Sequence, residues 1–190
     1  MSQEASAPQP GAAGLAARIV LILAAAIRYW ALLGGLLITA LALLTTYSAL
    51  AKLLFDAPFA ADYELAKYMT AIAIFAFLPY CQLTGANVTV DIFTEGMSAP
   101  AKAAMAMFSA LFAVAFSILL LRQMYFGFQS YMRFTEVTPV LKLPIWTAFP
   151  PILFSLFLLF VAALVTLVDG VRVMRKQEPY VHPFTGQPIE

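Results

Sequence analysis

Residues 143–168 read LPIWTAFPPILFSLFLLFVAALVTLV, an apolar run without a single charge. A helix rises 1.5 Å per residue, so about 20 residues cross the roughly 30 Å hydrocarbon core of a bilayer. The run is long enough. Backbone N–H and C=O groups in lipid find no water, so a lone spanning segment must pair them internally, and a helix does so. Three further uncharged runs occupy residues 29–51, 68–90 and 103–121, each bounded by charged side chains. The expected fold is all-α and integral to a membrane, with four transmembrane helices.

Composition agrees. The chain has 190 residues, 63% hydrophobic and 11% charged, with a mean hydropathy of +0.87. Soluble domains carry about 25% charged and about 45–50% apolar residues. A soluble fold of this size leaves roughly 30% of its chain surface exposed and cannot hide so much apolar area. The net charge of +1 gives no basic face for nucleic acid. Cys81 is the only cysteine and His182 the only histidine, which excludes an internal disulfide and a cysteine-built zinc site. No catalytic residue, no metal and no cofactor is expected; the chain does not read as an enzyme.

The charges set the boundaries. The second apolar run ends in the polar segment 82–89, so its helix is expected to start earlier, near Asp62, with Glu64 and Lys67 in its first turns. The spans fall at about 29–53, 62–83, 101–124 and 145–170, within a domain covering 15–176. Residues 1–14, rich in Ala, Pro and Gln, form a disordered tail by composition, and 177–190 an extended C-terminal tail. The apolar piece between Arg18 and Arg28 is too short to span. It reads as a short N-terminal interfacial helix feeding the first span, with a cleavable leader as the competing reading. Ser98, Ala99 and Pro100 resemble an N-cap followed by a first-turn proline. Pro150 and Pro151 mark either a helix start or a bend. The third helix is expected to run on to about Phe134, carrying Tyr125, Phe126, Phe128 and Tyr131 into an aromatic belt.

An even number of spans puts both termini on one side. With termini inside, the inner basic residues are Arg18, Arg28, Lys102, Arg172, Arg175 and Lys176, and the outer ones Lys52, Lys67, Arg122, Arg133 and Lys142. The compact cluster at 172–176 favours cytoplasmic termini.

Ionisable groups inside a membrane are functional hypotheses by default, and the cores of these spans hold almost none. Glu64 and Lys67 form either a snorkelling interfacial pair or contacts to a partner chain. Arg122 reads as a headgroup anchor or an intersubunit partner. Asp91 and Glu95 are solvated loop acids or a docking contact. The patch Thr45, Thr46, Tyr47 and Ser48 either lines a pore or bonds its own helix. Small residues recur at Ala31, Gly35, Thr39, Ala42 and Thr46, and again at Ala106, Ala110, Ala113 and Ser117. Such stripes let helix backbones approach closely, either inside a four-helix bundle or against another subunit.

The order of features resembles a known family. A short apolar piece leads into a first span. The second helix opens DYELAKY from Asp62. Gly85 precedes the pair Val90-Asp91. A proline opens the third helix at Pro100. The stretch TPVLKLPIW, from Thr138 to Trp146, leads into a proline-containing fourth helix. This pattern, covering about residues 15–176, is similar to the small membrane subunit (DctQ type) of tripartite ATP-independent periplasmic (TRAP) transporters. Asn87 and Thr89 stand where the family often has His or Arg.

The resemblance implies a non-catalytic scaffold subunit in the bacterial inner (cytoplasmic) membrane. It implies as partners a large permease subunit, a periplasmic substrate-binding protein and membrane lipids. The complex would take up organic acids on an ion gradient. Candidate partner-contact residues are Gly35, Lys52, Asp56, Asp62, Glu64, Arg133, Glu136 and Lys142. The alternatives are a homo-oligomeric channel or an accessory subunit of an unrelated membrane complex.

Overall fold

In a computed structural model of the chain, residues 12–84 and 99–175 are described. The expectations for the tails at 1–11 and 177–190, and for Gly85, Asp91, Glu95 and Ser98, lie outside the described residues. Among the described residues there are four α-helices: α1, Ala12–Phe55; α2, Asp62–Thr84; α3, Ala99–Arg133; and α4, Phe149–Met174. A 3-10 turn at Ile145–Ala148 precedes α4.

The separate N-terminal surface helix is absent as a separate element. Residues 12–55 form one helix of 44 residues. Between Leu15 and Leu33 the sequence has neither Gly nor Pro and is dominated by Ala and Leu, the strongest helix formers. Arg18 and Arg28 interrupt the apolar run but not the backbone. Helix also covers Ala12, Ala13 and Gly14, which composition assigns to the tail. At 1.5 Å per residue, α1 is about 66 Å long, roughly twice a hydrocarbon core, so it tilts across the bilayer or projects beyond it.

Among the described residues three helices are long and apolar enough to cross a membrane: Arg18–Phe55, Met107–Arg133 and Ile145–Arg172. The expected fourth span, α2, forms as a helix of 23 residues but does not stand among these three. Asp62, Glu64 and Lys67 at one end and Gln82 and Thr84 at the other dilute its apolar centre. Pro150 and Pro151 fall in the first turn of α4, where the missing N–H would have no helical partner. They start the helix rather than bend it.

The helices form an open row, not a closed bundle. α1 packs on α2, α2 on α4 and α4 on α3, with a light contact between α1 and α4. No comparable contact joins α1 to α3 among the described residues. α4 lies between two neighbours and carries much of the core. Ala148, Ile152, Leu156 and Leu159 meet Tyr68, Phe75 and Leu78 of α2 and Leu120, Leu121 and Met124 of α3. On α1 the buried positions Ile27, Gly34, Leu41 and Ser48 stand seven apart, a single seam of the kind that left-handed helix pairs share.

Small residues set the close approaches. A Cβ at Gly34 would lie 2.9 Å from the Ala76 Cβ, and one at Gly170 2.5 Å from the Met107 Cγ. Gly127 sits under the Phe149 ring, 3.1 Å from a would-be Cβ. Ala110 and Ser117 of the α3 stripe are fully buried. The α1 stripe behaves differently. Ala31 is buried, but Thr39, Ala42 and Thr46 are exposed, and a Cβ on Gly35 would meet nothing within 4 Å. The glycine that admits α2 is Gly34, one position and about 100° round the helix from Gly35.

Candidate functional site

Seven of the eight candidate residues lie at one end of the molecule, where α1 and α3 finish and α2 and α4 begin. The exception is Gly35, halfway along α1. Two connections build this loop end. The first, after α1, turns at Asp56, whose φ of 52° is left-handed. Aspartate tolerates that conformation better than most residues because its short side chain bonds locally. The Asp56 N–H donates to the Lys52 carbonyl at 3.0 Å, satisfying a carbonyl that the ending helix leaves free. The Phe59 N–H donates to Ser48 Oγ at 3.2 Å, tying the loop back to α1. Lys52 and Asp56 themselves are exposed.

The second connection follows α3 and folds as a tight double-backed loop. Val137 and Pro144 pair as an isolated antiparallel bridge. The Thr138 N–H donates to the Leu143 carbonyl at 2.9 Å, the Lys142 N–H to the Thr138 carbonyl at 3.1 Å, and the Ile145 N–H to the Glu136 carbonyl at 3.0 Å. Lys142 adopts a φ of 55°, which costs a non-glycine residue about 1–2 kcal/mol. The surrounding hydrogen bonds hold it there.

Glu64 supplies the anchor. Its carboxylate accepts the Val140 N–H at 2.7 Å through Oε1 and the Leu141 N–H at 3.0 Å through Oε2. The Thr138 hydroxyl also bonds this carboxylate, and the Lys142 ammonium acts on it through space. Thr138 Oγ1 in turn accepts the Leu143 N–H at 3.1 Å. One acid on α2 therefore fixes the tip of the α3–α4 connection. Lys67, the residue expected to pair with Glu64, instead sits 4.3 Å from the centre of the Tyr63 ring, a cation–π contact. The snorkelling pair with Lys67 does not form; the loop backbone holds Glu64 instead.

The remaining candidates are spread around this anchor. Arg133 ends α3 and Glu136 opens the loop, both exposed. Asp62 starts α2 and has a buried Oδ1 with no hydrogen-bond partner among the described residues. The structure thus brings Glu64 and Lys142 together and leaves Lys52, Asp56, Arg133 and Glu136 as separate surface charges. Phe134, Val137 and Val140 are exposed beside them, so the loop end presents apolar and charged groups side by side.

Several contacts escape a reading of single residues. Thr147 donates to the Pro144 carbonyl at 2.7 Å, so it accepts from the Tyr68 hydroxyl that bonds it. Trp30 Nε1–H donates to Ser155 Oγ at 2.8 Å, and its ring meets Phe154 edge-on at 4.6 Å. Phe128 lies 6.4 Å from Trp146 and Tyr131 5.4 Å from Phe149, so part of the aromatic belt packs inward. In the Thr45–Ser48 patch, Thr45 and Thr46 donate to the Ala42 carbonyl at 3.1 and 2.7 Å, and Ser48 holds Phe59. These hydroxyls serve the chain's own backbone.

Residues 41–173 match the family model described as tripartite ATP-independent periplasmic transporters, DctQ component. No curated protein and no solved structure matches the chain.

Proposed function

The chain belongs to the DctQ family of tripartite ATP-independent periplasmic transporter components, and from that premise we propose that it is a non-catalytic scaffold subunit. It braces a large permease subunit in the inner membrane. Its loop end helps dock a periplasmic substrate-binding protein, and the complex takes up organic acids on an ion gradient.

The open row of helices is the observation that supports the bracing role. A row leaves apolar flanks on α1 and α3 without a partner among the described residues. On α1 the small residues Gly35, Thr39, Ala42 and Thr46 lie on such a flank. Thr39 and Thr46 turn their hydroxyls to their own helix, donating to Gly35 at 2.9 Å and Ala42 at 2.7 Å. A helix of a larger subunit can approach such a surface closely without leaving a polar group unsatisfied. The same hydroxyl bonds weaken the channel alternative, because a pore lining needs groups free to meet an ion.

In this proposal α2 is the fourth crossing. It runs back along α1 between α1 and α4, which returns both termini to one side. Arg172 and Arg175 then face the cytoplasm, and the loop end faces the periplasm. Lys52, Asp56, Asp62, Arg133, Glu136 and Lys142 are the residues offered to the binding protein, with Glu64 shaping the loop that carries Lys142.

Co-expression with a large permease subunit of a TRAP transporter tests the reading. The tagged chain should co-purify with it, and Gly35→Leu or Ala42→Leu should abolish co-purification while leaving the isolated chain folded. Liposomes holding the chain alone should take up no organic acid. Uptake by the chain alone would refute the scaffold role. A reporter fused after Glu190 that is active only in the periplasm would refute the orientation.

A further inference from the structure

We propose that the cleft between α1 and the far end of α2 binds an anionic membrane phospholipid, with Arg28 holding its phosphate. The cleft measures about 620 Å³ and is lined by Ala24, Arg28, Tyr29 and Leu32 of α1 and by Tyr80 and Thr84 of α2. It lies at the opposite end of the α1–α2 pair from Glu64 and takes no part in the docking face.

Its chemistry is divided. One set of groups is polar: a guanidinium, two phenols and a hydroxyl. The other is apolar, made of Ala24, Ala25, Leu32 and Leu83. Arg28 is exposed and makes no hydrogen bond or ion pair with any described residue. Its chain neighbour Ile27 is buried against Leu158 and Ala162, well inside α4, with Trp30 and Leu83 beside them. The guanidinium therefore leaves the backbone where α2 turns polar, at Tyr80, Gln82 and Thr84, while α4 beside it is still apolar. A cation so placed requires an anion or water. The anion that a bilayer itself supplies is the phosphodiester of a lipid.

Arginine suits that role better than lysine, because its planar fork matches phosphate oxygens two at a time. Tyr29 and Tyr80 are exposed and flank it with further O–H donors. Thr84 already donates to the Tyr80 carbonyl at 2.8 Å, so the donors left for a phosphate are Arg28 and the two phenols. A free phosphate would leave Ala24 and Leu32 against water. A lipid covers them with its glycerol and first methylenes, and this apolar wall is the reason to assign the site to a lipid rather than to a soluble anion.

The test uses the full chain purified in mild detergent, with phosphatidylglycerol and phosphatidylcholine of identical acyl chains as probes. Lipid retained per chain is read by mass spectrometry after washing. Wild type should keep phosphatidylglycerol through a wash that strips phosphatidylcholine. Arg28→Gln should lower that retention at least about tenfold, the effect of losing one charge-assisted phosphate contact; Arg28→Lys should lower it less. Ala24→Leu fills the cleft with the charge intact and should also lower it, which carries the test should Arg28→Gln disturb the fold. Equal retention by wild type and Arg28→Gln would overturn the proposal. Equal retention of the two lipids by wild type would mark annular lipid only and overturn it too. Displacement of phosphatidylglycerol by an equal concentration of glycerol 3-phosphate would assign the cleft to a soluble phosphate instead.

Discussion

Adding one methyl group at Gly34 or at Gly35 should have opposite consequences, although the two glycines are adjacent. A Cβ at Gly34 would lie 2.9 Å from the Ala76 Cβ and 3.5 Å from the Ala73 carbonyl oxygen. Carbon atoms at rest sit about 3.5–4.0 Å apart, so α1 and α2 would have to separate by roughly half an ångström or more. Neither clashing atom is the end of a flexible side chain. Overpacking of this kind costs about 1–3 kcal/mol, whereas Gly→Ala inside a helix gains about 1 kcal/mol. Gly34→Ala should therefore destabilise by roughly 0–2 kcal/mol. Gly35→Ala meets open space and keeps the gain of up to about 1 kcal/mol. The double variant Gly34→Ala with Ala76→Gly removes the clashing carbon and should recover about 1 kcal/mol or more beyond additivity. Reversible unfolding of the purified chain in mixed micelles, followed by helical circular dichroism, measures wild type, Gly34→Ala, Gly35→Ala, Ala76→Gly and the double variant. The reasoning fails if Gly34→Ala is as stable as Gly35→Ala, or if the double variant is simply additive.

The Glu64 anchor predicts that Glu64→Ala releases the tip of the α3–α4 connection. Amide hydrogen exchange at Val140 and Leu141 should rise well above wild type while the helices stay protected, and unchanged exchange would remove Glu64 from that role. Ala110→Leu puts a large side chain where α3 meets α4 with no free surface, so it should lower helical content or unfold the chain, and a wild-type unfolding curve would contradict the burial. Trp30→Phe and Ser155→Ala each break one hydrogen bond in an apolar setting and should cost about 0.5–1.5 kcal/mol singly. The pair should cost little more than either alone, and full additivity would show that the two side chains are not bonded.

The sequence displays the helices clearly because charge and proline punctuate a chain that is otherwise apolar. Lys52 closes the first long run, Asp62 opens the second helix, and Pro150 and Pro151 start the fourth. The unbroken α1 was harder to foresee: Arg18 and Arg28 look like boundaries when hydropathy is followed, yet arginine is a good helix former and a charge need not end a helix. α2 is the mirror case, a well-formed helix whose polar ends blur its apolar signal. Glu64 stood out as an acid in an apolar helix, but its partners did not. They are backbone N–H groups of Val140 and Leu141, which look the same in every sequence. Gly34 and Gly35 show the limit most plainly, since only the rotation of α1 against α2 decides which one faces a neighbour.

The open row follows from the solvent. In water, four apolar helices close into a bundle because every uncovered face costs free energy. In lipid that cost vanishes, and helices meet where small residues and hydroxyls allow close, satisfied contact. Such places occur between α1 and α2 at Gly34 and Ala76, between α1 and α4 at Trp30 and Ser155, and between α3 and α4 at Gly127 and Gly170. α1 and α3 share no such place among the described residues, so nothing draws the ends of the row together. A closed bundle would bury the small-residue flank of α1 inside the chain. The open row keeps Gly35, Thr39, Ala42 and Thr46 at the surface, where a helix of another subunit can reach them. The same shortage of internal contacts that would make this chain a poor soluble protein suits it to join a larger one.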